Sequence, residues 1–352
     1  MHLSFQEFYA AKAIFEEGDG RHANCLPQPP WELLPFYGNM LHLGAEQKDK
    51  QRWGSCLLSA AGLKGPALSL RRRLTRGVSD YDTQLGLAAV SHALTSLDLD
   101  CNASTPKGTS DSTDDPHVLL EALAANTMLT ALNLSHNSLS GLDVSSGNQL
   151  PQQGTGLVSA LKPNFTLRHV GLSWNQLGVA GMGGLILEAF HENTTLSSLD
   201  LSHNPNLHDK RPGFGGIGEA VATLLQANTT LQTLNLACTD LRATDAIAIA
   251  NALESHGGLT ALNLEGNTGG AWAWRAFANV IESGQPALPT ARRLAHLNLS
   301  STSSTPRRQE GADDFGTLCK ALLSQDGQPS LTELQCVRAH PSTRMPCALP
   351  AL

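Results

Sequence analysis

The stretch that decides the fold runs from Leu196 to Asn204 and reads LSSLDLSHN. Its form, L-x-x-L-x-L-x-x-N, returns with little change along most of the chain. The nine-residue phrases start at Leu94, Leu129, Leu167, Leu196, Leu231, Leu259, Leu294 and Leu331. Successive starts are 35, 38, 29, 35, 28, 35 and 37 residues apart. A unit of 28 to 29 residues with insertions in most copies indicates a repeat array.

Each phrase predicts a short strand whose leucines at the first, fourth and sixth places point inward. Between phrases the apolar period becomes helical, because apolar residues fall ten and six places before the next phrase. The pairs are Leu119/Leu123, Leu157/Leu161, Ile186/Phe190, Val221/Leu225 and Ile249/Leu253. Residues four apart share one face of a helix, so each helix is expected to pack against its own strand.

An asparagine lies three places before several phrases, where each helix must end and the chain must turn. Asparagine tolerates the left-handed backbone conformation that many helix C-caps adopt. The sequence therefore predicts left-handed caps at Asn126, Asn164, Asn193 and Asn228.

Composition narrows the class of protein. Of 352 residues, 58 are leucine and 16% are charged, so one aliphatic residue type supplies most of the core. A net charge of −7 gives no general attraction for nucleic acid. The chain has no run of 18 apolar residues and no export signal, which predicts a cytoplasmic protein without a membrane span. Its seven cysteines are scattered and never spaced C-x-x-C, so neither a disulfide framework nor a metal site is expected.

The strand, asparagine and helix of this period resemble the ribonuclease-inhibitor type of leucine-rich repeat over residues 78–339. The resemblance implies an α/β horseshoe solenoid with about eight repeats, parallel strands inside and helices outside. In that family the ninth-place asparagine bonds backbone groups of the neighbouring turn, a structural ladder that falls here on Asn102, Asn137, Asn175, Asn204 and Asn267. Because Thr239, Thr302 and Ala339 replace this asparagine and Cys336 replaces a strand leucine, the ladder is expected to weaken toward the C-terminus.

The first residues carry a second resemblance. HLSFQEFYAA, from His2 to Ala11, is similar to the helical segment that closes the nucleotide-binding NACHT module of NOD-like receptors. This implies a helical segment over 1–23, a connector and capping repeat over 24–77 with Leu68 and Leu70 in a degenerate first strand, and a tail over 340–352. It also implies a preceding nucleotide-binding module absent from this chain. Since the chain contains no G-x-x-x-x-G-K-[ST] phosphate loop, we expect no ATP hydrolysis and no cofactor.

The third, fifth, seventh and eighth places of each phrase are expected to face the concave wall or its rim. The predicted partner-binding residues are Asp98, Asn133, His136, His169, Trp174, Asp200, His203, Asn235, Asn263, Glu265 and Asn298. Trp174 is the strongest anchor among them, since exposed tryptophans dominate many interfaces. The alternative is that Trp174 folds over its neighbours as rim packing. His136 and His203 lie two repeats apart, too far to share a metal ion.

These features favour a binding module over an enzyme, because the histidines and serines form no catalytic motif. The resemblance implies the repeat portion of a NOD-like-receptor-like protein of innate immunity or regulation, which binds a protein partner or a microbial ligand on its concave face. One alternative is a GTPase-activating protein of the Ran type. The final HPSTRMPCALPAL lacks the acidic tail that usually follows that array. The other alternative is a structural or cytoskeletal scaffold.

Overall fold

The computed structural model of the protein describes residues 67–70, 91, 93–101, 123–124, 126–137, 152–177, 182–205, 207, 216–253, 258–268, 275–279, 294–300 and 333–335. The predicted helical segment over 1–23 and the tail over 340–352 lie outside these residues. So do most of the predicted connector and the positions Asn102, Thr302, Cys336 and Ala339, so the expected weakening of the ladder is a prediction still.

The strands are three residues long, and in the repeated phrases they cover the third to fifth places. They are β1 Ala67–Ser69, β2 Ser96–Asp98, β3 Ala131–Asn133, β4 His169–Gly171, β5 Ser198–Asp200, β6 Thr233–Asn235, β7 Ala261–Asn263, β8 His296–Asn298 and β9 Glu333–Gln335. β1 occupies the place where Leu68 and Leu70 predict a degenerate strand. The helices whose two ends both lie in the described residues are α1 Gln152–Leu161, α2 Met182–Ala189, α3 Ile217–Ala227 and α4 Ala243–Leu253. None of these helices combines the length and apolarity needed to cross a membrane.

The described chain divides into two units at Val170 and Gly171. In the first unit, β1, β2 and β3 pair in parallel, and equivalent places of the phrase lie side by side, as in Leu97 opposite Leu132. In the second unit, β5, β6, β7, β8 and β9 pair in the same way and in chain order. Parallel strands that alternate with helices confirm the predicted α/β repeat fold.

The leucines of the phrase form the core. Every first-, fourth- and sixth-place leucine of the phrases starting at Leu94, Leu129, Leu196, Leu231 and Leu259 is at most 2% exposed. The helical partners Ile186, Phe190, Val221 and Leu225 are buried as predicted. Burying one leucine side chain stabilises the folded state by about 1.5–3 kcal/mol. The repeated phrase is therefore the main source of stability.

Helices α3 and α4 of the second unit approach closely at Gly218. The Gly218 N–H donates to Oδ1 of buried Asp245 at 3.0 Å, and the Arg242 N–H donates to Oδ2 of the same carboxylate at 2.8 Å. A Cβ at Gly218 would overlap the Asp245 backbone. Glycine at this position therefore sets the distance between the two helices.

The left-handed caps predicted at the four asparagines before the strands are wrong. Asn228 has φ −85° and ψ 120°, and none of the four has a positive φ. Their side chains do the capping. Asn228 Oδ1 accepts the N–H groups of Thr230 and Leu231 at 3.0 and 2.9 Å, while its Nδ2 donates to carbonyls of the preceding repeat, Phe190 at 3.1 Å and Asn193 at 2.7 Å. An extended backbone is what aims the amide at both turns.

The ninth-place side chains lie buried under the turns that follow the strands. In the first unit, Asn137 Nδ2 donates to the Leu99 and Leu134 carbonyls, both at 2.9 Å. In the second unit, Asn204 and Asn267 likewise donate to the sixth-place carbonyl of their own repeat and of the repeat before. Asn204 and Asn267 therefore each supply hydrogen-bond donors to buried carbonyls of two consecutive turns, which water cannot reach.

Candidate functional site

One face of the strands is turned to solvent. In β2 to β8 the middle residue is buried, and the residues on either side, at the third and fifth places, are half-buried or exposed. We call these third- and fifth-place positions the strand face. Because successive side chains of a strand point to opposite sides, the leucine core itself fixes which residues reach solvent.

The fifth-place side chains of the strand face are partly structural. Their Oδ1 atoms accept the backbone N–H two residues later, at 2.9 Å for Asp200 and Ser202 and at 3.0 Å for Asn263 and Glu265. Asp98, Asn133, Asn235 and Asn298 make the same contact. These local bonds turn the chain out of the strand. The predicted binding residues at this place therefore hold their own turns as well.

In the second unit, four fifth-place residues form a row across neighbouring strands, because Asp200, Asn235, Asn263 and Asn298 are register partners. Asn298 Nδ2 donates to Glu265 Oε2 at 3.1 Å. Among the described residues, no contact is seen for the second carboxylate oxygen of Asp200 or for the amide nitrogens of Asn235 and Asn263. This row therefore carries one negative charge and two amide groups that can donate hydrogen bonds.

The eighth place has a left-handed backbone. The φ angles lie between 54° and 69° at Cys101, His136, Trp174, His203, Cys238 and Gly266. Sequence analysis missed this feature, because only the glycine among these residues favours a positive φ. The eighth-place N–H donates to the seventh-place carbonyl of the next repeat, as from Trp174 to Ser202 at 3.1 Å. The repeat therefore fixes this backbone, whatever the side chain.

Trp174 and His203 occupy this place in consecutive repeats of the second unit. Their rings stack with centroids 4.3 Å apart and planes 12° apart, and Trp174 stays 51% exposed. Trp174 therefore packs on a neighbouring ring while half of its surface faces solvent, and its role as a binding anchor stays a prediction. Stacking of this kind contributes about 0.5–1.5 kcal/mol and fixes the indole in one orientation.

In the first unit, Asp98 and Asn133 lie together, because Asn133 Nδ2 donates to Asp98 Oδ1 at 3.0 Å. His169 is exposed on β4. His136 lies against a residue that sequence analysis did not single out, with its Nδ1 2.7 Å from Oδ1 of Asp100. Asp100 is at the seventh place of one repeat and His136 at the eighth place of the next, so comparing equal places could not reveal the pair.

The prediction that seventh-place residues face the concave wall or its rim is wrong for most repeats. Among the described residues at this place, Glu265 alone is half-buried and the others are buried. Asp100, Ser135, Ser173, Ser202, Ala237 and Ser300 are at most 9% exposed. Most N–H groups at this place bond the fifth-place side chain, and the carbonyls accept an N–H from the preceding repeat. Backbone contacts on both sides enclose the seventh residue, which explains its small side chain in most repeats.

Cys238 is the eighth-place residue that meets a glycine. A Cβ on Gly266 would lie 2.6 Å from Cys238 Sγ, so the thiol occupies space that any other residue there would need. Burial raises the pKa of the Cys238 thiol, and the nearby charges of Glu265 and Asp240 raise it further. This thiol is held in its neutral form at neutral pH.

Four segments of the chain match the family model described as Leucine Rich repeat, at residues 125–146, 164–185, 192–210 and 227–250. Among the solved structures that match the chain is a crystal structure of the leucine-rich repeat-containing protein LegL7 from Legionella pneumophila. The two chains are 19% identical over 81% of this chain and 78% of the other, with a TM-score of 0.42. No curated protein matches the chain.

Proposed function

Because the chain is built from leucine-rich repeats, we propose that it is a protein-interaction module whose partner binds the second unit. The observation that carries this proposal is the half-exposed Trp174, fixed by its stack on His203. A rigid, half-exposed indole gives a partner a large contact area at little cost in side-chain entropy.

The strand face beside this stack supplies polar contacts. Asp200 lies three places before His203, and Asn235 and Asn263 continue the row on the next two strands. Asp200 adds a negative charge to this row, and Glu265, two places after Asn263, adds another. The partner therefore presents hydrogen-bond donors or basic side chains to the row and an apolar or cationic group to the indole. The contact is one of binding, without a catalytic step.

The wider setting follows the resemblance of the first residues. We propose that the module belongs to a NOD-like-receptor-like protein of the cytoplasm, in which a nucleotide-binding module precedes these repeats and a protein or microbial ligand binds them. HLSFQEFYAA supports this setting. The transcript sequence upstream of Met1 tests it, because a nucleotide-binding module must be encoded there in frame. A stop codon directly upstream would contradict the proposal.

Affinity capture tests the binding surface itself. The full chain and the triple variant Trp174→Ala, Asp200→Ala, His203→Ala are compared on extract from the source cells, with quantitative mass spectrometry of the bound proteins. Phe165→Ala is the matched control, since Phe165 is 52% exposed and lies outside the strand face. We expect at least one protein to bind the wild type and Phe165→Ala equally and to lose about tenfold or more with the triple variant.

Two results would contradict the proposed surface. One is that every bound protein is retained by the folded triple variant. The other is that Phe165→Ala removes the same proteins as the triple variant, which would place the binding surface elsewhere. Circular dichroism of each variant establishes that the repeats are folded.

A further inference from the structure

Two consecutive turns of the first unit bring three metal-binding side chains together. Asp100 and Cys101 follow β2, and His136 follows β3. Asp100 Oδ1 lies 2.7 Å from His136 Nδ1 and accepts the Cys101 thiol at 3.2 Å. The ligand atoms of all three lie within 4.8 Å of one another. In the described part of the chain this is the one such group of three.

The backbone holds these side chains in place before any ligand arrives. Cys101 and His136 both have left-handed backbones, with φ 58° and 57°. The Cys101 N–H donates to the Ser135 carbonyl at 3.0 Å, which joins the two turns directly before His136. The Asp100 N–H donates to Asp98 Oδ1 at 3.1 Å. The same bonds that build every repeat therefore fix the three donor groups.

We propose that Asp100, Cys101 and His136 form a zinc site. A carboxylate oxygen, a thiolate and an imidazole nitrogen are the donor atoms that Zn²⁺ takes in proteins, at about 2.0–2.3 Å. In a tetrahedral site, ligand atoms at those distances are separated by about 3.4–3.7 Å. The hydrogen-bonded pairs at 2.7 and 3.2 Å need to open by less than about 1 Å to admit the ion.

The burial of the three side chains suits a zinc ion that keeps one coordination position open to solvent. Asp100 is 5% exposed, Cys101 is half-buried, and the His136 side chain is 38% exposed. The carboxylate is therefore inside and the imidazole at the surface, so that solvent can supply a fourth ligand. Binding takes a thiolate and a neutral imidazole, and the Cys101 proton and any proton held between His136 and Asp100 go to solvent. No oxidant or reductant takes part.

The repeat also provides a control thiol. Cys238 stands at the same eighth place in the second unit, with φ 54° against 58° at Cys101. The eighth residue of the following repeat is Gly266 there, whereas it is His136 beside Cys101. A cysteine-to-serine change thus alters the same backbone position in both turns, and it removes a proposed ligand in only one.

Cobalt titration of the metal-free full chain tests the site, because Co²⁺ replaces Zn²⁺ and absorbs light when bound to a thiolate. We expect one strongly bound Co²⁺ per chain with a thiolate-to-cobalt charge-transfer band, displaced by Zn²⁺. Cys101→Ser should abolish the band, and His136→Asn should weaken binding at least tenfold, since losing even an outer partner of a metal ligand costs about 10- to 100-fold. Asparagine tolerates the positive φ of residue 136. Cys238→Ser should bind like the wild type.

A second measurement needs no variant. Zn²⁺ should slow the alkylation of Cys101 by iodoacetamide at least tenfold and leave that of Cys238 unchanged, as read by peptide mass spectrometry. The proposal fails if the wild type binds no Co²⁺, if Cys101→Ser keeps the band, or if Zn²⁺ leaves Cys101 unprotected. The residues of this site are in the first unit and those of the proposed protein contact are in the second, so either can fail alone.

Discussion

The ninth-place row and the eighth-place row are neighbours in the chain and differ in what decides their side chains. The ninth-place residues Asn137, Asn175, Asn204, Thr239 and Asn267 are buried, and their side chains bond backbone groups. The eighth-place residues share a left-handed backbone held by main-chain bonds and include cysteine, histidine, tryptophan and glycine. In the ninth-place row, the buried backbone groups that need hydrogen-bond partners determine the residue type. The eighth-place row keeps its left-handed backbone with several types of side chain. Binding chemistry can therefore differ between repeats at this place.

Replacing Asn204 by alanine should break this comparison most strongly. Its Nδ2 donates to three carbonyls and its Oδ1 accepts the N–H groups of Asn175 and Leu177. Leaving several buried backbone groups without partners should cost about 3 kcal/mol or more. Urea denaturation followed by circular dichroism measures the loss. The adjacent His203→Asn tolerates a positive φ and loses the stack on Trp174, so it should cost only about 0.5–1.5 kcal/mol. Equal losses would refute the distinction between the rows.

Gly266→Ala probes the limit of tolerance in the eighth-place row. Gly266 has φ 69°, and its new Cβ would lie 2.6 Å from Cys238 Sγ. Left-handed strain and overpacking together should cost about 2–3 kcal/mol. In a Cys238→Ala background the overlap disappears, so the same change should cost only about 1–2 kcal/mol. The double-mutant cycle measures the difference. Additive effects would show that the thiol does not dictate the glycine.

Among the described ninth-place residues, Thr239 is the one that is not asparagine. Thr239→Asn should restore the hydrogen bonds that asparagine makes in the other repeats. The Thr239 hydroxyl donates to the Leu236 carbonyl at 2.7 Å, and with one hydrogen it cannot also serve the preceding repeat. An asparagine amide there would reach the Leu201 carbonyl too and should stabilise the chain by about 1 kcal/mol. Thr239→Val keeps the shape without the donor and should lower the urea midpoint. A Thr239→Asn variant less stable than wild type would contradict this geometry.

The two rows also show what sequence could and could not predict. Periodic leucines place the strands, because their pattern follows burial directly. The sequence predicts a left-handed backbone at the asparagines before the strands, whereas none of the four has a positive φ, and Asn228 bridges two repeats from an extended backbone. The left-handed residues are instead those of the eighth place, where cysteine and tryptophan give no propensity signal and histidine only a weak one. Gly266 at the eighth place was the available hint.

The candidate sites depend on contacts between the turns of successive repeats. Asp100 meets His136 because the seventh-place turn of one repeat lies beside the eighth-place turn of the next. Trp174 meets His203 at equal places, which the repeat alignment does show, but its stacked geometry follows from the two left-handed turns. Periodicity therefore predicts which residues are repeated, and the geometry of the turns determines which of them come together.

The smallest expected effect concerns how neighbours tune one eighth-place thiol. Burial raises the pKa of Cys238 first, and Glu265 and Asp240 add to it, so the folded state holds the thiol proton more tightly than the unfolded chain. The stability this contributes is full below the unfolded pKa of about 8.5 and is lost as pH rises through the higher folded value.

Glu265→Gln removes one of the charges and leaves the burial, so the pKa of Cys238 should fall only part of the way. At pH 8, iodoacetamide should alkylate Cys238 in this variant about two- to threefold faster than in wild type, because reactivity follows the thiolate fraction. Peptide mass spectrometry measures the rate, and Glu219→Gln on the exposed side of α3 should change nothing. If Glu265→Gln leaves the rate unchanged, the charge of Glu265 does not help to hold the proton. In that case burial and Asp240 account for the raised pKa of this eighth-place thiol.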